Sequence, residues 1–311
     1  MDDEKPVIAV DGRLALQAER GFEGEYLNRL LTELGFMSRP YVIHVFGDLT
    51  ADPEMLRRMR FIHPVDLLIT PNFFTWEQMA FPQAVHGAAV VQGASLPWFI
   101  RRPSIALLFE VPDVAPSAYR RTMARRALSR SHWVVAVSEA VKESLVTGGV
   151  PQDRIIVVPP GVKAPNEAIR FSKEPRLVVE KPHQQLLQDA LMQAGVDELS
   201  LEPLTQGDED QTRAQLADAL AFVTVSRNPR SSWYQLLAEA EGCPVVGPDA
   251  ALPASNWAEA AAAIQRLTTE PDRLRQIVEQ GLQHAQNNSW KKSAEMLDNL
   301  YRTALGIEAS R

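Results

Sequence analysis

Between the apolar runs "AFVTVS" (221–226) and "CPVVGP" (243–248) the chain carries a polar loop with Arg227, Asn228, Arg230, Ser231 and Ser232, followed by a helical stretch over 233–241. Two guanidiniums and two hydroxyls ahead of a helix form a set that can hold an anion. The first helical turn offers backbone N–H groups and a positive dipole end, and arginine adds a planar fork of donors. The loop also follows a strand, and ligands of open α/β sheets sit outside the carboxyl ends of strands. The competing reading of the same residues is a solvated loop.

The elements that must position this loop follow from hydrophobic spacing. "PVIAV" (6–10) is a short apolar run rich in β-branched residues, which predicts a strand. "EYLNRLLTELG" (25–35) has Tyr26, Leu27, Leu30, Leu31 and Leu34 at helical spacing and stops at Gly35. The runs "YVIHVFG" (41–47), "DLLITP" (66–71), "AAVVQG" (88–93) and "SIALLF" (104–109) predict further strands of a sheet covered on both faces. A basic helix over 117–131 leads into the strand "HWVVAVS" (132–138), and Ser138 caps a helix over 139–149. "DRIIVVPPGV" (153–162) is a strand ending in a Pro-Pro-Gly turn.

The polar, proline-bounded segment 163–175 reads as an interdomain linker. A second alternation follows: strand "RLVVE" (176–180), helix 183–194, strand "ELSLEPL" (198–204), helix 208–220, the two strands flanking the polar loop, and helices around 256–268 and 270–286. Strands alternating with helices predict a second parallel sheet. The last segment places Trp290, Ala294, Leu297, Tyr301 and Leu305 on one helical face, which must pack against something.

The composition excludes several classes. The 311 residues carry 45% hydrophobic and 23% charged residues, ordinary for a globular protein of two domains. A net charge of −7 argues against a general nucleic-acid binder, which needs a basic face. A single cysteine, Cys243, rules out an internal disulfide framework and a cysteine-based zinc site. No metal is implied. No run of about 18 apolar residues predicts a membrane span, and the acidic start "MDDEKPVIAVDG" reads as a strand, not a signal peptide. The expected location is cytoplasmic, at most peripheral to the inner face of a membrane. There Arg120, Arg121, Arg125 and Arg126 of the basic helix would meet anionic lipid, against the plainer reading of a solvated face.

The stretch "RSHWVVAVSEAVKESLVTGGVPQDRIIVVPPGVK" (130–163) resembles the "ADRVIAVSE…LGVPPERIVVVPNGVD" segment of the family-four glycosyltransferases, the retaining GT-B group. Other parts agree in order. "IAVDGR" with "GFEGEYLNRLL" resembles the first strand and glycine loop of that family, "DLLITPNFF" its "DLVHSPNFLLP", and "GCPVVGPDAALP" its "GCPVVASDTSALPE". "NNSWKKSAEMLDNLYRTAL" resembles its terminal helix. The resemblance implies an α/β, GT-B-like fold: two Rossmann-like domains facing across a cleft, with a C-terminal helix crossing back to the first domain. The implied domains are 1–165 (acceptor side), 166–288 (donor side, shortened) and 289–311 (the returning helix).

The resemblance also implies a site, and most of its chemistry is absent. Gly21 and Gly24 stand where a glycine loop admits backbone approach to a phosphate or sugar; the alternative is glycine kept for its backbone angles. The family's sugar-binding His falls on Phe109, and the following Asp on Glu110. The two Glu that grip ribose and sugar fall on Pro229 and Leu237; Glu239 reaches the second place only with a two-residue deletion. The Arg/Lys pair that neutralises the diphosphate falls on Arg176 and Lys181 in one register. In the other, preferred for its longer match, it is lost with the first strand–helix unit of the second domain. What remains to bind a ligand is Gly21, Gly24, Arg227, Arg230, Ser231 and Ser232, with Glu110 and Arg227 the weak candidates for chemistry.

Two readings lead, and beside them stands a third, a glycan- or nucleotide-binding module that binds without turnover. One is a degenerate glycosyltransferase-like protein, a binding or scaffold partner of an active enzyme in glycan or glycoconjugate assembly, with no cofactor. The other is a divergent active enzyme, using a nucleotide sugar and acting on a glycan, lipid-linked or protein acceptor.

Overall fold

The computed structural model of the chain describes residues 5–16, 21–48, 63–67, 73–94, 96–98, 100–110, 118–163, 173–196, 198–205 and 209–307. The expected strand end at 68–71 and most of the expected linker, 164–172, lie outside the described residues. The chain divides into two compact units, Met1–Pro160 with Trp290–Arg311 and Gly161–Ser289.

The first unit is built on a seven-stranded sheet of β1 (Val7–Asp11), β2 (Val42–Asp48), β3 (His63–Leu67), β4 (Val90–Gly93), β5 (Ser104–Leu108), β6 (Trp133–Ala136) and β7 (Ile155–Val157). Its order is β3-β2-β1-β4-β5-β6-β7, and every pairing is parallel. This is a doubly wound sheet whose strand order reverses between β1 and β4. The apolar runs form its strands because both faces are covered: β4 and β5 are buried along their whole length.

Its helices are α1 (Arg13–Leu16), α2 (Phe22–Phe36), α3 (Phe73–Thr75) leading through a π turn (Trp76–Ala80) into α4 (Phe81–Ala84), α5 (Ala118–Arg130) and α6 (Glu139–Thr147). Helix α2 begins three residues earlier than its leucine pattern suggests. Phe22 extends the buried face of Tyr26 and Leu30 back by one turn. Ser138 caps α6 as expected, its Oγ accepting the Val141 N–H at 3.2 Å.

The second unit holds a five-stranded parallel sheet of β8 (Glu174–Glu180), β9 (Ser200–Leu204), β10 (Ala219–Val223), β11 (Val245–Gly247) and β12 (Leu252–Pro253), in the order β12-β11-β10-β8-β9. Helices α7 (Gln184–Gln193), α8 (Glu209–Leu216), α9 (Pro229–Ala240), α10 (Trp257–Thr269) and α11 (Pro271–Asn287) cover it. Its core gathers Leu177, Val179, Leu187, Val223, Val246 and Ile264. In chain order the strands run 2-1-3-4-5, the flavodoxin-like arrangement, which reverses between its first and third strands, here β8 and β10.

The last helix, α12 (Trp290–Leu305), belongs to the first unit and packs on α2. Trp290, Ala294, Leu297 and Tyr301 are buried as their spacing requires, and Leu305 is half-buried. Polar contacts fix the docking. Asp298 accepts from the Tyr41 hydroxyl and from Arg302 Nε, the latter at 2.7 Å. Tyr301 donates to Gln92 Oε1 at 2.7 Å, and Ser293 to the Pro159 carbonyl at 2.7 Å. Among the described residues no helix is long and apolar enough to cross a membrane.

Candidate functional site

The polar loop that follows β10 reaches the switch point of the second sheet. Asn228 ends the loop and caps α9, its Oδ1 accepting the Ser231 N–H at 2.8 Å. Pro229 opens the helix, where its missing N–H costs nothing and its fixed φ suits the first turn. Beside this turn lies a cavity of about 520 Å³ lined by Glu180, Lys181, Pro182, Pro203, Leu204, Thr205, Arg230 and Tyr234. These residues come from the carboxyl ends of β8 and β9 and from the start of α9, where doubly wound sheets receive ligands.

The structure sorts the residues expected at this site. Arg230 and Lys181 line the cavity. Ser231 is buried behind it, its hydroxyl bonded to the Glu180 carboxylate. Ser232 is exposed and donates back to the Asn228 carbonyl at 3.2 Å, inside its own helix start. Arg227 is exposed and stands 3.9 Å from Asp249 in a loose surface pair.

Arg176 is separated from Lys181. It lies in the first half of β8, ~13 Å down the strand from Glu180 at the usual rise per residue. There it pairs with Glu202 and Glu174 and donates to the Gln215 carbonyl at 3.1 Å. Strand β8 takes the central place of a first strand, between β9 and β10, yet its arginine is at the amino end of the sheet. Only Lys181 of the pair reaches the ligand end.

The acids are placed differently from the family pattern. Leu237, at the second Glu position, is wholly buried. Glu239 is buried too, but on the side of α9 that packs on α11, where it meets His284 Nδ1 at 2.6 Å. Gly281 makes room for it: a Cβ there would lie 3.1 Å from Glu239 Cγ. Glu239 therefore serves a helix–helix contact.

The hydrogen bond that His284 donates to the Glu239 carboxylate raises the histidine's pKa above the ordinary 6.5, partial burial opposes it, and the negative charge of Glu239 adds to the rise. The folded-state pKa thus exceeds the unfolded one. The stabilisation is full below about pH 6.5 and is lost as pH rises through the raised value. The melting temperature should fall over this window in the wild type, and His284→Gln should remove that step. Scanning fluorimetry across about pH 5.5 to 8.5 checks it.

In the first unit, Gly21 is the N-cap of α2 and Gly24 lies in that helix's first turn, buried. The expectation of two glycines in a loop ahead of the helix is corrected for Gly24, because the buried aromatic face starts at Phe22. Phe109, at the family's His position, packs edge-on against Phe22 and Tyr26, with centroids 6.1 and 5.4 Å away. Tyr26 in turn meets Trp290 at 5.9 Å. The ring fills an aromatic cluster that a histidine would make polar. Glu110 follows it and is exposed.

One cluster was not anticipated from the sequence. Asp11 ends β1 beside the order reversal of the first sheet. It accepts from Trp76 Nε1 at 3.2 Å and from the Arg13 N–H at 3.3 Å. Burial, and then the charge of Glu77, push its pKa up to about 6. Glu77 is itself buried and accepts the Tyr119 hydroxyl at 2.7 Å. The only sequence signal was an acid at the carboxyl end of the first strand.

Comparison with known proteins places this geometry. The family model described as Glycosyltransferase Family 4 matches residues 26–164. No curated protein sequence matches the chain. Among solved structures, sucrose-phosphate synthase from Thermosynechococcus elongatus is similar at 14% identity and a TM-score of 0.71, covering 97% of this chain and 99% of that one. Anabaena HepE, solved with UDP and glucose, is similar at 13% identity and a TM-score of 0.66, covering 96% and 100%. A glycosyltransferase from Rickettsia africae is similar at 11% identity and a TM-score of 0.66, covering 97% and 99%. Residues 26–164 thus match the Glycosyltransferase Family 4 model, and over nearly its whole length the chain has a GT-B-type α/β fold.

Proposed function

We propose that this protein is a pseudo-glycosyltransferase of glycan or glycoconjugate assembly, a binding or scaffold partner that does not itself transfer sugar. The observation that carries the reading is the state of α9. Its two positions for sugar-gripping acids hold Pro229 and a fully buried Leu237, and its nearest acid, Glu239, is committed to His284. The aromatic packing of Phe109 supports it, since a phenyl ring has no donor for a sugar hydroxyl. On this reading the partner is an active glycosyltransferase. The protein works in the cytoplasm, at most peripherally on the inner face of a membrane, where the arginine-rich α5 would meet anionic headgroups.

A second reading, a divergent active glycosyltransferase, is favoured by one feature: Lys181 and Arg230 line a cavity at a switch point, as a site for an anionic donor requires. HepE was solved with UDP-glucose. Incubation with a panel of nucleotide sugars, with donor hydrolysis and transfer followed by mass spectrometry, separates the two. No turnover with any donor is expected. Transfer or hydrolysis above the rate without protein, lost in Arg230→Ala, would overturn the proposal.

A further inference from the structure

Two cavities of about 530 and 430 Å³ adjoin in the first unit, by the amino ends of β1, β4 and β5, and share Val85 and Arg102. The first takes in Lys5, ahead of β1, and His44 of β2; the second takes in His86 and Arg101. Among the described residues neither wall holds an aspartate or a glutamate. Neutral groups hold the cations instead. Lys5 Nζ donates to the Arg39 carbonyl at 3.2 Å, and Arg102 Nη2 to the His86 carbonyl at 2.7 Å. No carboxylate pairs with Lys5, Arg101 or Arg102 among the described residues, whereas Arg176 and Arg213 of the second unit each face carboxylates. In a chain of net charge −7, cations gathered without an acid repel one another and attract an anion.

Apolar surface separates these cations: Pro6 and Val7 in the first cavity, Pro82 and Ile100 in the second. A sugar ring sets its C–H faces on such walls while acidic substituents reach the cations. The two cavities meet at Arg102, which suits an extended chain better than one small anion. A single-stranded nucleic acid needs open rings for its bases, and Phe46, the one phenyl ring on the walls, is 3% exposed. The cations stand by the strand ends opposite to those where doubly wound sheets receive nucleotides. We infer that this groove binds an acidic glycan chain, one whose sugars carry carboxylate, sulfate or phosphate groups. The class of chain rests on the glycan-assembly reading above; the site is the same whether or not the protein transfers sugar.

The test titrates wild type, Arg101→Ala and Arg102→Ala with an alginate hexamer, an acidic glycan, by calorimetry at one pH. Arg273→Ala, which removes an exposed arginine of the other unit, is the control. Maltohexaose, neutral and equally long, and hexaglutamate, acidic without sugar, are titrated beside it. Arg101 makes no bond among the described residues, so its truncation leaves the fold intact, and circular dichroism checks this for each variant. Wild type is expected to bind the alginate hexamer about tenfold or more tighter than either comparison ligand. Arg101→Ala and Arg102→Ala should each weaken that binding about tenfold, and Arg273→Ala should leave it unchanged. Raising salt from about 50 to about 300 mM should weaken it more in wild type than in Arg102→Ala. Alginate that binds no tighter than maltohexaose, or not at all, would overturn the site. Hexaglutamate bound as tightly as alginate would overturn its assignment to a glycan, and an equal loss in Arg273→Ala its assignment to this groove. Sugar transfer by the wild type bears on the preceding proposal, whereas the titration decides this one.

Discussion

Asp298→Ala is expected to destabilise the first unit by about 3–5 kcal/mol, the usual cost of removing one partner from a buried ion pair. Asp298 is 3% exposed and holds two donors at once, the Tyr41 hydroxyl and Arg302 Nε. Truncation leaves the Arg302 guanidinium, 12% exposed, without its carboxylate. It also leaves the Tyr41 hydroxyl, in a buried side chain, without that acceptor. Burial, and then the bond to Asp298, hold the Tyr41 phenol well above its ordinary pKa, so it stays a donor throughout the neutral range. The effect reaches beyond the pair, because Asp298 sits on α12 and Tyr41 immediately precedes β2. Their bond ties residues 257 positions apart in sequence. Asp298→Asn keeps an acceptor for Tyr41 and should lose less. Urea unfolding followed by tryptophan fluorescence measures both, with Trp290 on the same helix as reporter. A loss for Asp298→Ala below about 1 kcal/mol, the range of a surface pair, would contradict this account of the docking.

The second large effect is expected in the other unit. Arg213→Ala should also cost about 3–5 kcal/mol. Arg213 on α8 stands between Glu209, 3.8 Å away, and Glu241, to which its Nε donates. The side chains of the two acids are 0% and 7% exposed, so removal of the guanidinium leaves two carboxylates away from water without that cation. Glu209 also accepts the Lys163 N–H at 2.9 Å, which links the arginine to the chain entering this unit. Arg213→Met separates packing from charge, since it restores most of the aliphatic stem. If charge is the cause, Met should recover only a small part of the loss; recovery of most of it would assign the effect to packing.

Much of the fold was legible because its signals are local. The strands are short runs of β-branched residues, and the helices show a period that a window of a dozen residues reveals. Ser138 as a cap and the buried face of α12 are of this kind, set by positions three or four apart. The helical stretch over Phe73–Ala84 was missed. Its aromatic residues and Pro82 do not read as a helix, although proline is tolerated in the first turn, where it stands in α4. Gly24 was misplaced for a related reason: the leucine pattern ends before the aromatic face of α2 does.

The candidate site was legible only in part. The sequence by itself determined the alternation of strands and helices, the loop with Arg230 and Ser231 ahead of α9, and the absence of acids at Pro229 and Leu237. What only the tertiary structure decided was which of these groups meet. Glu180 and Ser231 are 51 positions apart, and Asp11 and Trp76 are 65 apart. Parallel pairing and crossover helices bring together the carboxyl ends of strands distant in the chain, and no local period records that. The same topology parts Arg176 from Lys181, five residues along, because an extended strand carries its two ends to opposite edges of the sheet.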